Sequence, residues 1–491
     1  MLFNSYAFIL IFLPLVAAVY FLLHTYLNAR WARLFLLVAS LAFMSYWNIY
    51  FALVLICSVL FNYAFGITLS TFAKKDKSET RKKIILAAAI TANILFLGFF
   101  KYYNFFVENI NAAFSTNIGA LQILLPLGIS FYTFMQIAWL TDIYRHGGYR
   151  YDFFHYCLYV TFFPYVVSGP IPYHTEIIPQ IQSEQAGRFN LANLCRGMFI
   201  FSIGLFKKTV IADTLAIIAN GGYDTAATLT FIEAWLTSLS FSMQIYFDFS
   251  GYTDMAIGVA LIFNIHLPIN FNSPFKALNI VDFWRRWHLT LTRFLRDYLY
   301  IPLGGSRKGG IRTNLNIMVT FLVVGFWHGA SWLFLFWGFI HGAVSIFYRY
   351  WRLLGIRMHK ALAWFLFFNF FNTSAIFFRA NTWHDAMKVL KGMFGLNGIL
   401  ISEKLADSPF WQKMTSFGIQ FGGWRENLPQ VDLHNYFLCI ALIFVVLFTK
   451  NSNELLRDFS PNRKNALAVG VMMVLGLLLL NQASTFLYFN F

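Results

Sequence analysis

Two histidines lie in a stretch of the chain that also collects arginines, tryptophans and an aspartate. His288 follows the run 282–287, Asp-Phe-Trp-Arg-Arg-Trp, and His328 is the fourth residue of the run 325–329, Gly-Phe-Trp-His-Gly. Apolar surroundings favour the neutral imidazole, which can accept a proton. An ionisable residue at membrane depth indicates a functional site. For His328, a core histidine that donates one hydrogen bond to a backbone carbonyl is an equally good interpretation from composition alone.

The chemistry that such a histidine supports is direct acyl transfer. A neutral imidazole removes the proton from a hydroxyl while the hydroxyl oxygen attacks an acyl thioester. No GxSxG elbow is present and no cysteine has a setting that would activate it, so a serine- or cysteine-hydrolase mechanism has little support. His341 lies in similar apolar surroundings and is predicted to be mainly structural. The four cysteines lack metal-ligand spacing, so we predict no metal site.

Positions 283–300 separate into two faces at about 100° per residue. One arc holds the apolar residues Phe283, Trp284, Trp287, Leu291, Phe294, Leu295, Tyr298 and Leu299. The opposite arc holds Arg285, Arg286, Arg293, Arg296 and Asp297. This pattern predicts a single amphipathic helix at the membrane interface. Such a helix could bind lipid headgroups. Alternatively, together with Arg307, Lys308 and Arg312, it could bind a phosphate-rich donor such as coenzyme A on the cytoplasmic side.

A second polar segment, 244–254, predicts a cavity that is lined by polar side chains. It contains Gln244, Asp248, Tyr252 and Asp254 within an otherwise apolar stretch. Carboxylates beside a hydrophobic helix are costly unless they are paired, and we expect the arginines of the central helix to pair with them. For Asp248 and Asp254 individually, the favoured interpretation is that they lock the scaffold through ion pairs.

The elements that position these residues must be membrane helices. Of the 491 residues, 58% are hydrophobic and only 12% are charged, about half the charged fraction of a soluble domain. Unpaired backbone groups are costly in lipid, so apolar runs of about 20 residues must be helical. We predict an all-α polytopic membrane protein with about 11 crossings and some re-entrant or interfacial segments. The candidate runs are 6–23, 31–47, 51–72, 84–100, 121–140, 153–167, 191–218, 229–249, 315–326, 332–347, 361–378, 436–448 and 466–480.

The formal charge of +16 could suggest nucleic acid, but the basic residues cluster in short loops between apolar runs. That distribution follows the positive-inside rule, so we predict no nucleic-acid partner and a cytoplasmic location for the basic loop 74–83. The first apolar run is expected to remain as an anchor. Residues 1–491 are predicted to form one membrane domain with its core motifs at 240–345. The polar region at about 381–434 is predicted to be an extramembrane excursion.

The chain resembles the membrane-bound O-acyltransferases, in the branch of the alginate O-acetyltransferase membrane subunit and its peptidoglycan-acetylating relatives. The resemblance extends over nearly the whole chain. Its motifs are Phe3-Asn4-Ser5, Phe163-Pro164, Gly169-Pro170-Ile171, Gly204-Leu-Phe-Lys-Lys208, Ala212-Asp213, the segments 244–254, 282–288 and 295–305, Gly325-Phe-Trp-His-Gly329 and Tyr488-Phe489-Asn490-Phe491.

This resemblance implies a ring of helices around a central channel in a bacterial inner membrane. His328 corresponds to the family's catalytic histidine and His288 to its second histidine. Acetyl-CoA is the implied donor, with no bound cofactor, and the acetyl group is expected to reach a polysaccharide hydroxyl, such as that of alginate or peptidoglycan, through a periplasmic SGNH-type partner. The residues expected to bind substrate or line the channel are Trp284, Arg285, Trp287, Arg296, Asp297, Tyr300, Trp327, Gln244, Asp248 and Tyr252.

Two alternatives to acetyl transfer remain open at this point. One is the D-alanyl branch of the same chemistry, which modifies teichoic acid and takes its acyl group from a carrier protein. The other is a non-catalytic conduit or transporter subunit, in which His328 and the polar segment only line a path. Thioester cleavage by the purified protein separates an enzyme from a conduit.

Overall fold

The computed structural model describes residues 1–75, 78–147, 151–423, 425–482 and 486–487. α-Helices dominate these ranges, and short π-helical turns join several of them. The α-helices are α1 (Leu13–Tyr26), α2 (Ala29–Ser45), α3 (Ile49–Lys75), α4 (Glu79–Phe114), α5 (Ile129–His146), α6 (Phe153–Thr161), α7 (His174–Gln182), α8 (Leu191–Phe206), α9 (Asp213–Asn220), α10 (Phe231–Ile262), α11 (Ile280–Trp284), α12 (Leu289–Leu295), α13 (Gly310–His328), α14 (Trp332–Leu353), α15 (Lys360–Arg379), α16 (Trp383–Met393), α17 (Pro409–Met414), α18 (Leu433–Phe448), α19 (Ser452–Arg457) and α20 (Arg463–Leu478).

The predicted all-α membrane fold is confirmed. In the described ranges, five helices are long and apolar enough to cross a bilayer: Ala7–Tyr26, Ile49–Phe72, Glu79–Phe114, Gly310–His328 and Lys360–Arg379. The other apolar helices are shorter or more polar. The figure of about 11 crossings therefore stays a prediction.

Two of the predicted apolar runs are helical over only part of their length. The run 121–140 becomes helical at Ile129, because Pro126 and then Gly128, at φ 73°, precede α5. The run 153–167 is helical only as far as Thr161, and Pro164 follows in a buried turn. Both turns bring backbone into the interior of the helix bundle, where the site described below is built.

The helix α10 runs through the centre of the fold. Its first turn is a capping box, in which the Thr230 backbone N–H and hydroxyl each donate to Glu233 at 2.9 Å. Nearly every residue from Phe241 to Ile262 is buried, polar ones included. A helix that is enclosed on all sides belongs to the core of the bundle, so the polar segment 244–254 is an internal feature.

The two aspartates of segment 244–254 pair with lysines and not with the arginines that we predicted. Asp248 lies 2.7 Å from the buried Lys208 ammonium, which also contacts Asp213 at 2.8 Å. Asp254 pairs with Lys207 at 2.7 Å. The prediction failed because α8 packs along α10 and brings its Lys-Lys pair beside these carboxylates. The ion pairs match the predicted scaffold role.

The central arginine-rich stretch was predicted to be one helix, and this prediction is wrong. α11 and α12 are separated by a bend at His288, whose φ of 43° lies in the left-handed region. At the bend, backbone hydrogen bonds to a neighbouring segment replace those that a continuous helix would form. Leu289 N–H donates to the Asn270 carbonyl at 3.0 Å, and Asn272 N–H donates to the Arg286 carbonyl at 2.9 Å.

The predicted division of this stretch into two faces agrees in part with the burial of its residues. The residues of the apolar arc are buried or partly buried in the bundle. Arg285 and Arg296 on the opposite arc are exposed, whereas Arg286, Arg293 and Asp297 are partly buried and form ion pairs. The amphipathic pattern therefore fixes which side packs inward even where the helix is interrupted.

Region 381–434 contains short helices together with a small sheet that we did not predict. Strands β1 (Ile399–Ser402) and β2 (Ile419–Gly422) pair in parallel, and α17 connects them. The aromatic C-terminal motif Tyr488–Phe491 lies outside the described residues.

The helix that carries His328 packs against α14 through two glycines. A Cβ at Gly325 would lie 2.3 Å from the Phe334 carbonyl oxygen, and one at Gly338 would lie 2.4 Å from the Phe321 carbonyl oxygen. Backbone atoms cannot move aside as a flexible side chain can. The close packing of the two helices therefore requires glycine at positions 325 and 338. This packing also fixes the position of His328 within the bundle.

Replacing Gly325 with alanine is expected to force α13 and α14 apart. We expect a loss of about 1–3 kcal/mol in the free energy of unfolding, with reduced activity because His328 shifts with its helix. Gly98→Ala is the control, since a Cβ at Gly98 meets no atom within 4 Å. Thermal unfolding in detergent measures both variants, and equal stability for the two would contradict the account.

Candidate functional site

His328 is the last residue of α13 and lies among aromatic side chains. It is 3% exposed. Its ring lies 4.8 Å from Trp327, 4.9 Å from Phe378 and 5.4 Å from Trp337, measured between centroids. The helix ends here because Gly329 adopts an extended conformation. His328 therefore lies where a transmembrane helix opens into the interior of the bundle.

Two cavities of different character meet at His328. The larger, which we call the polar cavity, has a volume of about 90 Å³. The smaller, the apolar pocket, has about 20 Å³. The polar cavity is lined by Lys101, Leu125, Pro126, Leu127, Gly128, Ile129, Ser130, Phe131, Val167, Ser168, Trp327 and His328. The apolar pocket is lined by Ile245, Phe283, Trp287, His328, Trp337, Phe371, Ala375 and Phe378.

His328 is the side chain that these two sets of lining residues share. The first set includes a lysine and two serines, whereas the second, apart from His328, is aliphatic and aromatic. A general base must reach the hydroxyl that it deprotonates, and that hydroxyl must in turn reach the carbon that it attacks. This position can serve both reactants if each occupies one cavity.

His288 lies behind Trp327 and lines neither cavity. Its ring centroid is 6.2 Å from Trp327 and 4.7 Å from Phe249. Its Nδ1 is 3.3 Å from Asn270 Oδ1, an atom that also accepts from the Thr290 backbone N–H at 3.2 Å. That backbone donor fixes the amide orientation, so Nδ1 of His288 must carry the proton and Nε2 is the acceptor nitrogen. The geometry suits a residue that positions Trp327, and a role in the chemistry stays a prediction.

His341 is held in a structural arrangement, separated from His328 by Trp337. The Trp337 ring lies 4.4 Å from His341 and 5.4 Å from His328. Ser374 donates its hydroxyl proton to the Phe371 carbonyl at 2.8 Å, so it accepts from His341 Nε2 at 3.1 Å. His341 lines neither cavity, which agrees with the structural role predicted for it.

The predicted tryptophans lie around the site. Trp287 lines the apolar pocket and Trp327 lines the polar cavity. Trp284 packs against His341, with 5.7 Å between ring centroids, and so lies one layer further out. In the described part of the chain, Trp327 Nε1–H has no hydrogen-bond partner. A buried donor of this kind can bind a ligand oxygen.

The predicted residues of α10 are buried close to the site but not in its cavities. Tyr252 stacks on Phe3 at 5.1 Å and hydrogen bonds to the backbone of Ser168, in the wall of the polar cavity. Asp248 accepts from the Leu487 backbone N–H at 3.0 Å in addition to its lysine. Gln244 is buried within the same helix. Their contacts brace the wall of the site.

The predicted polar residues after α12 lie away from His328. Arg296 and Asp297 form an ion pair at 2.7 Å in which Arg296 is exposed and Asp297 is partly buried, and Tyr300 is partly buried as well. Partial burial opposes ionisation of Asp297, but hydrogen bonds from Arg296 and Tyr173 hold its carboxyl pKa below the ordinary value. Arg285 is exposed as well. These residues can contact a charged ligand at the surface, but they do not line the two cavities.

Several residues that line the two cavities were not predicted from the sequence. Lys101, Ser130 and Ser168 line the polar cavity, and Phe378 lines the apolar pocket. Lys101 could have been found, because it is a lone charge directly after the apolar run 84–100. The serines and the phenylalanine are ordinary residues of membrane helices and turns. In the described ranges, no group of three histidine, cysteine or acidic side chains could hold a metal ion.

Comparison with known proteins identifies related membrane acyltransferases. The model of the membrane-bound O-acyltransferase family matches residues 120–382. The chain is 40% identical to the peptidoglycan O-acetyltransferase of Helicobacter pylori, over 100% of this chain and 98% of that protein. It is 35% identical to the probable alginate O-acetylase AlgI of Azotobacter vinelandii, over 82% of this chain and 80% of that protein. It is 29% identical to the teichoic acid D-alanyltransferase of Bacillus subtilis, over 46% of this chain and 59% of that protein. The chain therefore belongs to the membrane-bound O-acyltransferase family and is a multi-pass membrane acyltransferase.

Proposed function

We propose that this protein transfers an acetyl group from acetyl-CoA to a hydroxyl of a cell-wall or exported polysaccharide, with His328 as the general base. The observation that carries the proposal is the meeting of a polar and an apolar cavity at His328. The relatives with matches over most of their length are named for peptidoglycan and alginate acetylation. Both acceptors are polymers that lie outside the cytoplasm.

The reaction needs no covalent intermediate on this chain. His328 removes the proton from the acceptor hydroxyl as its oxygen bonds to the thioester carbonyl carbon. The carbon–sulfur bond then breaks, and the thiolate leaves with the proton returned by the imidazolium. Negative charge develops on the carbonyl oxygen in between, and the Trp327 Nε1–H is a donor without another partner in the described residues.

The apolar pocket favours an acetyl group over D-alanine. Apart from His328, its lining consists of aliphatic and aromatic side chains. The ammonium group of a D-alanyl thioester would lose its hydration there without an acidic partner among the described lining residues, which costs several kcal/mol. The pocket of about 20 Å³ suits a methyl group. The teichoic acid enzyme of Bacillus subtilis also matches only 46% of this chain.

We propose that the donor binds on the side where the basic loops lie. Arg307, Lys308 and Arg312 are exposed at the start of α13, beside a turn in which Gly304, at φ 112°, and Gly309, at φ 82°, leave the backbone accessible. Arginine and lysine bind phosphates through charge-assisted hydrogen bonds. By the positive-inside rule this face is cytoplasmic. In an inner membrane, coenzyme A would be held there and the acetyl group would leave on the opposite side, toward a periplasmic SGNH-type partner.

Release of coenzyme A from acetyl-CoA by the detergent-purified protein tests this function. We expect release that increases when a soluble hydroxyl acceptor is added, together with acetylated acceptor in equal amount. A conduit or a purely structural subunit would cleave no thioester. Wild-type protein that binds acetyl-CoA but releases no coenzyme A with acceptor and periplasmic partner present would contradict the proposal.

The size of the apolar pocket predicts the preference for acyl length. We expect the wild type to use acetyl-CoA at least about tenfold faster than butyryl-CoA, because the two additional methylenes of the butyryl group do not fit the pocket. Phe378→Leu removes part of the ring that closes the pocket and should raise butyryl transfer relative to acetyl transfer. Phe370→Leu, beside His341 and outside the pocket, is the control. An unchanged ratio in Phe378→Leu would place the acyl group elsewhere.

A further inference from the structure

The last turn of α13 ends inside the site, and the helix itself cannot complete its hydrogen bonds there. Gly329 is extended, with φ −165° and ψ 154°, so the helix stops at His328. In a longer helix the Ser331 N–H would donate to the Trp327 carbonyl, but it donates to the Gly329 carbonyl at 3.0 Å instead. The carbonyls of Phe326 and Trp327 therefore need donors from another element, because a buried carbonyl without a partner is costly.

Two neighbouring side chains of α4 supply these donors. The Lys101 ammonium group donates to the Trp327 carbonyl. The Tyr102 hydroxyl donates to the Phe326 carbonyl at 3.0 Å, and its ring stacks on the Phe326 ring with 4.1 Å between centroids. The Lys101 ammonium group also lies 5.6 Å from the centroid of the Trp327 ring. Helix α4 therefore contacts both the backbone and the side chains of the two residues that precede His328.

Polar contacts fix α4 in the bundle on both sides of Lys101. Asn93, about two turns before Lys101, exchanges two buried hydrogen bonds with Asn62 of α3, at 2.7 and 3.1 Å. After Lys101, the Asn104 side chain binds the backbone carbonyl and N–H of Leu121, at 2.9 and 3.0 Å. Because α4 is anchored independently of α13, its side chains can hold the last turn of α13 in one position.

We propose that Lys101 is a positioning residue for the general base: its hydrogen bond to the Trp327 carbonyl holds His328 where the two cavities meet. This inference rests on the proposed acetyltransferase function and adds a residue that aligns the base. A base must lie within about 2.6–3.2 Å of the proton donor, and a displacement of about 1 Å costs about 10²-fold in rate. Donor affinity is unaffected, because about 27 Å of helix separates His328 from the start of α13, where Arg307 and Arg312 lie.

Steady-state kinetics of the full-length protein in detergent give the first test. Lys101→Met keeps much of the apolar stem and removes the donor, so we expect kcat for acetyl transfer to fall about 10- to 100-fold with little change in the KM for acetyl-CoA. Lys101→Arg retains N–H donors and should keep most of the activity. Asn109→Ala is the matched control, because Asn109 of α4 accepts from Trp332 at the start of α14 and does not contact the last turn of α13.

A double-mutant cycle separates positioning of the base from general damage to the fold. If Lys101 acts through the imidazole, Lys101→Met should change the residual rate of His328→Gln by less than about twofold, although it lowers the wild-type rate about 10- to 100-fold. A purely structural role would lower the rate by the same factor in both backgrounds. Equal factors would therefore overturn the inference.

Chemical rescue tests the donated hydrogen bond itself. Lys101 lines the polar cavity, so Lys101→Ala leaves a space that propylammonium can enter, and this ion replaces the three missing carbons and the ammonium group. We expect propylammonium to restore part of the lost rate in a saturable manner. Tetramethylammonium has the same charge but no N–H group and should restore none. Rescue by both cations or by neither would overturn the inference.

Tyr102→Phe gives the same information if the Lys101 variants do not fold. It keeps the ring that stacks on Phe326 and removes only the second donor, so it should lower kcat several-fold, leave KM unchanged and lose its effect in His328→Gln. An active wild type with full activity in Lys101→Met and Tyr102→Phe would overturn the positioning role while leaving the acetyltransferase function intact. A wild type that cleaves no thioester would overturn the function and this inference with it.

Discussion

Replacing His328 with glutamine is expected to lower the rate of acetyl transfer by about 10²- to 10⁴-fold. Glutamine has a similar length and can donate and accept hydrogen bonds, but it cannot take up a proton. The aromatic contacts with Trp337 and Phe378 hold either side chain in place. The thermal stability of the variant should therefore remain close to that of the wild type, and acetyl-CoA should still bind.

The matched control is His341→Gln. This second buried histidine lies in the same aromatic cluster and hydrogen bonds to Ser374, but it lines neither cavity. Its replacement is expected to keep most of the activity, even where the loss of the Ser374 hydrogen bond lowers the melting temperature. Steady-state rates of acetylated product for both variants give the comparison. A similar loss in the two variants would show that any change in the cluster impairs the reaction, and the role of His328 as base would fail.

Replacing Lys208 with methionine is expected to lower the free energy of unfolding by about 3–5 kcal/mol. Lys208 is 2% exposed and pairs with both Asp213 and Asp248. Methionine fills much of the same volume but leaves two buried carboxylates without their cation. Removing one partner of a buried ion pair is costly because the remaining charge cannot regain its hydration.

The exposed ion pair between Arg296 and Asp297 provides the control for Lys208. Arg296 is 60% exposed, so Arg296→Met should change stability by less than about 1 kcal/mol. Adding Asp248→Asn to Lys208→Met should recover part of the loss, since one of the stranded charges is removed. Thermal unfolding of the purified variants measures all three. Equal effects for Lys208→Met and Arg296→Met would contradict the scaffold role of the buried network.

The sequence was sufficient for features that depend on local pattern. Apolar runs predicted the membrane helices, and the spacing of arginines and aromatics predicted which face of 283–300 is buried. His328 stood out because it is an ionisable residue in an apolar run. These features follow from helix periodicity and from the cost of burying charge, which need no knowledge of distant contacts.

Features that depend on distant segments could not be predicted in the same way. The bend at His288 exists because residues 270–272 supply hydrogen bonds in place of the helix. Asp248 pairs with Lys208 because α8 packs on α10. The polar cavity is assembled from α4, the turn before α5, the turn after α6 and α13. Only the packed structure shows that Lys101 and His328 line the same space.

The most direct measurement of the central claim is a structure of the protein with a non-hydrolysable acetyl-CoA analogue bound. The account predicts the acetyl methyl group among Trp337, Phe371 and Phe378, with its carbonyl carbon beside His328 and the polar cavity open to the acceptor. It also predicts the coenzyme A phosphates near Arg307 and Arg312. An acyl group located away from His328, for example beside His341 or outside the bundle, would contradict the claim that the two cavities bring donor and acceptor to one base.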